Sequence, residues 1–143
     1  MNLTVSAMNE IKELTDKLRD FANERDWNQF HSAKNLTMAL AGEVGELSEI
    51  FQWKPENDEL SAKELSNCEE ELADILLYLI RIADRLDINL AKAANEKIAI
   101  NAAKYPVKLS KGNSKKYTES YCNRLVTPML ESITRTQLTK LCL

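Results

Sequence analysis

The chain has 143 residues, 44% of them apolar and 29% charged, with a formal net charge of −3. That is enough for one domain with a hydrophobic core, and the acidic balance argues against a nucleic-acid polymer as partner, since Lys108 to Lys116 is the only basic cluster. No membrane association is expected either, because the longest apolar run, near Ile75 to Ala83, is too short to span a bilayer and contains Arg81.

Three glycines and three prolines favour long helices over a turn-rich sheet. The first helix is expected from about Ser6 to Asn23, with Ile11, Leu14, Leu18 and Phe21 at helical spacing. Arg25 to His31 reads as a loop carrying Trp27, Phe30 and the sole histidine, His31. Ser32 is a good N-cap for a second helix that runs to about Trp53, and Pro55 ends it. Lys54 to Leu60 is a polar connection. Ser61-Ala62-Lys63-Glu64 reads as a capping box that opens a third helix, to about Leu86. Leu65, Cys68, Leu72, Leu76, Leu79, Ala83 and Leu86 form its stripe, and Leu77 and Ile80 widen the apolar surface beyond it. A helix apolar over so much of its girth is central to a bundle or an oligomer interface. After the turn Asp87-Ile88-Asn89, a fourth helix runs from about Leu90 to Lys104, with Leu90, Ala94, Ile98 and Ala102 expected to face inward. Residues 1–117 are thus one all-α domain, and the polar, Thr-rich stretch 118–143 is expected to be a loosely structured tail. Cys68, Cys122 and Cys142 lack metal or disulfide spacing; Cys68 lies on the apolar stripe, and a reducing cytoplasm is the expected compartment. No signal peptide is expected, since no basic segment precedes an apolar one at the start of the chain.

Two acidic pairs stand out: Glu43 and Glu46 on the second helix, Glu71 and Asp74 on the third. Residues i and i+3 lie on one helix face, so two neighbouring helices would place four carboxylates around one small volume. Acid-rich helix faces are usually no more than solvated surface. Here the pairs flank the apolar stripes: Leu36, Leu40, Val44, Leu47 and Phe51 form the second helix's stripe, with Glu43 on its edge, whereas Glu49 points away. Gly45 between the acids costs about 1 kcal/mol against alanine inside a helix, which suggests close approach of another group to the backbone. Four clustered carboxylates need cations, and a hard cation such as Mg²⁺ bound by oxygens commonly also holds substrate phosphates. The residue types therefore point to a Mg²⁺-dependent enzyme acting on a nucleotide. A di-iron carboxylate bundle would need Glu-x-x-His twice, which one histidine cannot supply. A non-catalytic helical interaction module is the remaining alternative.

The ordered set Arg25-Asp26-Trp27-Asn28-Gln29-Phe30-His31, Gly42-Glu43-Val44-Gly45-Glu46-Leu47-Ser48-Glu49 with Trp53, and Glu70-Glu71-Leu72-Ala73-Asp74 with Tyr78 resembles the MazG-type all-α NTP pyrophosphohydrolases, in particular their single-domain dCTP pyrophosphatase branch. Lys97 to Asn101, Lys104-Tyr105-Pro106 and Ser114-Lys115-Lys116-Tyr117 also match, so that the resemblance covers roughly Ile11 to Glu119. It implies a four-helix bundle of the MazG type, assembled as a homo-oligomer, with a tetramer favoured over a dimer. It implies hydrolysis of a (deoxy)nucleoside triphosphate to monophosphate and pyrophosphate, in nucleotide-pool sanitation, with dCTP or a modified pyrimidine nucleotide as substrate. Glu43, Glu46, Glu71 and Asp74 would hold Mg²⁺, Glu46 or Glu43 would orient the attacking water, Tyr78, Lys97, Asn101 and Lys104 would touch phosphates and sugar, and Trp27, His31 and Trp53 would surround the base.

Overall fold

The computed structural model describes residues 3–114 and residue 116. Among them there is no strand. Five α-helices follow one another: α1 (Leu3–Glu24), α2 (Ala33–Phe51), α3 (Ala62–Arg85), α4 (Leu90–Lys104) and a single turn, α5 (Val107–Ser110), with a short 3-10 turn at Trp27–Gln29 between α1 and α2. The all-α class is as expected. Among the described residues the helix count is five and not four, because the stretch after Pro106 closes one more turn through Ser110 and Lys111 amides bonded to the Pro106 and Val107 carbonyls. Two compact units divide the chain, residues 1–94 and 95–143. The expected tail at 118–143, with Cys122 and Cys142, lies outside the described residues.

Local chemistry sets the helix ends. Ser32 accepts the Asn35 amide at 3.1 Å and so caps α2. At α3 the full capping box forms: the Ser61 hydroxyl accepts the Glu64 amide at 3.3 Å, and Glu64 Oε2 accepts the Ser61 amide at 2.7 Å and the Ser61 hydroxyl at 2.6 Å. Those hydrogen bonds, with Lys54 Nζ at 3.0 Å, hold the Glu64 carboxyl down to about 2. Asp26 and Asp87, both at φ 54°, take the left-handed conformation that aspartate tolerates better than most side chains, and they sit in the turns that follow α1 and α3.

Within the first unit α2 packs chiefly against α3, and α1 packs on α3. Among the described residues the core is small: Ala22, Leu36, Cys68, Ile80 and Ala83 are the buried apolar ones. Cys68 is a core thiol, as its position on the stripe suggested. In the rest of the α3 stripe, Leu65, Leu72, Leu76, Leu79 and Leu86 are exposed, so the stripe expected at the centre of a bundle or an oligomer interface is open in the single chain. Val44 and Phe51 on α2 are exposed as well. The physical reason is geometric: one α2–α3 contact covers one side of a helix whose apolar surface wraps further round. Expected inward positions of α4 are also open, since Ala94, Ile98 and Ala102 are exposed and Leu90 is only partly covered. Among the described residues no helix is long and apolar enough to cross a membrane.

Candidate active site

The acids converge where α2 lies along α3. One carboxylate oxygen from each of Glu43, Glu46 and Glu71 falls within 4.8 Å of the others. Glu43 and Glu71 are half-buried and Glu46 is exposed. Desolvation pushes the Glu43 carboxyl up, and the charges of Glu46 and Asp74 push in the same direction. The Glu71 carboxyl is raised for the same reasons, by desolvation first and then by Glu46, Glu43, Asp74 and Glu70. Asp74 is thus coupled to the cluster through its charge, while the three glutamates form the close group. An all-oxygen set of this kind suits a hard divalent cation: ligands around Mg²⁺ sit about 2.0–2.1 Å from the ion, so no two are more than about 4.2 Å apart, a small adjustment from the observed spacing. A Cβ built on Gly45 meets nothing within 4 Å among the described residues, so the glycine has no close neighbour there from its own chain.

Next to the acids lies a cavity of about 370 Å³, walled largely by apolar groups. Asp74, Leu77, Tyr78 and Arg81 line it from α3, Leu14, Lys17, Leu18 and Phe21 from α1, Leu36 from α2, and Trp27 and His31 from the turn between α1 and α2. The αL conformation of Asp26 makes this wall possible, because it folds the 3-10 turn back on α1. Trp27 then meets Phe21 edge-on, with ring centroids 5.7 Å apart and planes at 74°, and His31 at 6.0 Å and 64°. Asp74 belongs to both features, as it lines the cavity and acts on Glu43 and Glu71.

Of the residues expected from sequence, Glu43, Glu46 and Glu71 come together, and Asp74, Tyr78, Trp27 and His31 share the adjoining cavity. Trp53 does not join them. The second helix ends at Phe51 and not at Trp53, so Trp53 sits in the following turn, 87% exposed, and is not part of the cavity wall. Lys97, Asn101 and Lys104 stand on α4 within the second unit, at i, i+4 and i+7; Lys97 and Asn101 are exposed and Lys104 is partly covered.

One cavity residue escaped the sequence reading. Arg81 is 5% exposed, the only buried charged residue among those described. Its Nη1 donates to Asp84 Oδ2 at 2.6 Å, its Nη2 to Asn28 Oδ1, and its Nε faces His31 Nδ1 at 3.5 Å. Asp84 Oδ1 in turn accepts Arg19 Nε at 2.9 Å and Nη2 at 2.5 Å. The signal was present: Asp74, Tyr78 and Arg81 stand at i, i+4 and i+7, and a lone charge inside an apolar run needs a partner, which Asp84 supplies one turn on.

Residues 39–119 match the family model described as MazG-like. The chain belongs to the MazG-like family. The matched stretch holds both acidic pairs, Tyr78 and the α4 set, whereas the Trp27–His31 turn precedes it. Among curated proteins this MazG-like chain is similar to dCTP pyrophosphatase 1 of Bos taurus, 48% identical over 104 residues that make up 70% of this chain and 62% of the relative. It is similarly 46% identical to dCTP pyrophosphatase 1 of Homo sapiens over 70% of this chain and 61% of that protein. The chain therefore spans about three-fifths of the length of the curated relatives it matches. Among solved structures it is similar to a pyrophosphatase from Archaeoglobus fulgidus, at 38% identity and a TM-score of 0.60, over 68% of this chain and 93% of the other.

Proposed function

We propose that this MazG-like chain hydrolyses a deoxynucleoside triphosphate, dCTP first, to monophosphate and pyrophosphate with the help of Mg²⁺. The observation that carries the reading is the juxtaposition of a three-glutamate cluster with an aromatic cavity that Asp74 lines. Phosphoryl chemistry asks for positioning and charge neutralisation more than for a covalent nucleophile, and these two features supply one each. Preference for dCTP is taken from the curated relatives, whose names specify that nucleotide.

Glu43, Glu46 and Glu71, with Asp74 beside them, would hold the cation. Bound Mg²⁺ would supply charge neutralisation at the α-phosphoryl group and a lowered pKa for an attacking water. Glu46, or failing it Glu43, orients and deprotonates that water. The base lies in the cavity against Trp27, with His31 at its edge and Tyr78 beside the sugar or phosphates. Lys97 offsets charge on the departing pyrophosphate, and Asn101 and Lys104 touch phosphates or sugar. Trp53 has no place in the cavity of a single chain, so a role beside the base requires it to come from a second copy.

A homo-oligomer, with a tetramer favoured, belongs to the same reading. Leu65, Leu72, Leu79 and Leu86 recur every seventh residue along the open face of α3, the spacing by which helices pair. The cytoplasm is the proposed compartment, where the nucleotide pool is found. A nucleotide panel with and without Mg²⁺, scored for pyrophosphate against orthophosphate, tests the activity. Pyrophosphate release from triphosphates that stops on chelation supports it. Orthophosphate as the sole inorganic product, or no turnover of any triphosphate, would favour the non-catalytic helical module.

A further inference from the structure

Behind the aromatic cavity, a chain of polar contacts runs Arg19, Asp84, Arg81, His31. Asp84 accepts from Arg19 through Oδ1 and from Arg81 through Oδ2. Arg81 is further tied to Asn28 and so cannot swing into the cavity to meet a ligand itself. Its Nε–H, one of the three N–H groups that these two bonds leave, faces His31 Nδ1 at 3.5 Å.

A guanidinium has only donors and does not lose its proton in proteins. A ring nitrogen facing it must therefore present a lone pair. At 3.5 Å the contact is weak as a hydrogen bond, so it adds little to stability. Its consequence is a matter of sign: it decides which nitrogen carries the proton. With Nδ1 unprotonated, neutral His31 bears its hydrogen on Nε2. The surroundings also favour the neutral ring, since burial, Arg81 and Arg85 all act against a second proton.

We propose that Arg81 is a positioning residue that fixes His31 as the Nε2–H tautomer, so that the cavity offers a donor that selects cytosine over uracil and thymine. The proposal rests on the reading of the Trp27–His31 cavity as the base site. Ring N3 of cytosine accepts a hydrogen bond, whereas uracil and thymine carry a hydrogen on N3. A fixed donor pairs with the first and opposes the others, and a site built around a hydrogen bond discriminates far better than one built on apolar contact alone. Stacking on Trp27 accepts every base, so discrimination must come from such an edge contact. Arg81 acts at one remove: it touches His31 and leaves the base to it.

His31 is the only histidine in the chain, so its two ring nitrogens can be read without assignment by ¹⁵N NMR of the full chain above pH 8. The wild-type ring is expected to show a pyridine-like Nδ1 and a protonated Nε2. In Arg81→Gln the acceptor-only Asp84 takes the new amide N–H groups and leaves the carbonyl oxygen for His31. The proton should then move to Nδ1, and the ratio of kcat/KM for dCTP over dUTP should fall at least tenfold. If that variant does not fold, His31→Gln and His31→Asn carry the kinetic test. The first keeps a donor at the Nε2 position and retains the preference, the second does not. A wild-type proton on Nδ1 overturns the tautomer assignment whatever the cavity binds. An Nε2 proton in the wild type, with the dCTP-to-dUTP ratio unmoved by Arg81→Gln or by His31→Asn, overturns the selectivity, whereas a KM for dCTP unmoved by Trp27→Ala would separately overturn the cavity as base site.

Discussion

Trp27→Ala separates a base wall from a packing residue. Trp27 is 43% exposed and lines the cavity. A tryptophan side chain presents roughly 150–250 Å², so about 100 Å² remains for a ligand to cover. A base lying on the open part covers about half of that area. At about 25 cal/mol per Å² this contributes roughly 1.2 kcal/mol, at the lower end of the 1–3 kcal/mol typical of base–aromatic stacking. The expected result is a KM raised roughly tenfold for every accepted nucleotide. The kcat should change little, because stacking is felt alike in ground and transition states. Loss of the edge-on contacts with Phe21 and His31 should cost about 1–3 kcal/mol of stability, which a folded domain tolerates. Steady-state kinetics on dCTP and dATP, with thermal unfolding alongside, reads both. An unchanged KM with lowered stability would refute the base site and return Trp27 to packing alone.

Four more outcomes follow from the same geometry. Glu43→Gln and Glu71→Gln should each abolish turnover yet leave the metal-free protein at least as stable at neutral pH, as thermal unfolding would show; both carboxyls are raised in the fold, so their charged forms oppose it. For the same reason the Mg²⁺ needed for half-maximal rate should rise as pH falls through the upper carboxylate range, in a metal titration at several pH values. Ser61→Ala should lower Tm by about 4 °C at neutral pH. Glu64 is depressed to about 2 from 4.5, so its contribution is present above 4.5 and is lost as pH falls toward 2, and the wild-type advantage in Tm should shrink over that range. Leu72→Glu and Leu79→Glu on the open face of α3 should turn an oligomer into a monomer by light scattering; a wild-type monomer at micromolar concentration would contradict the assembly.

Much of this was legible in the sequence because the informative signals are local. Ser32, Ser61 and Glu64 announce helix starts through side chains that bond the nearest amides, and i, i+3 spacing alone places Glu43 beside Glu46. Pairing of those acids with Glu71 needed only the assumption that α2 lies along α3. Non-local facts were harder. Which side of α3 is covered depends on how much partner surface is available, so Leu72 and Leu79, expected at the centre of a bundle or an oligomer interface, stay open in a single chain. Trp53 was assigned to the base from its place after the acids, whereas the helix stops two residues earlier and exposes it. Arg81 was used only to argue against a membrane span. Its role depends on Asn28 and His31, some fifty residues away in sequence and brought next to it only by the turn at Asp26. Around Gly45 the described residues of one chain leave open space, so the group whose approach the glycine suggests does not come from them.

The central claim is that water attacks the α-phosphorus beside the glutamate cluster and expels pyrophosphate. A single-turnover reaction of dCTP with Mg²⁺ in ¹⁸O-labelled water, followed by mass spectrometry of both products, tests it most directly. One labelled oxygen in dCMP and none in pyrophosphate is the predicted result. Label in pyrophosphate would mean attack at the β-phosphorus, and appearance of dCDP with labelled orthophosphate would contradict the account altogether.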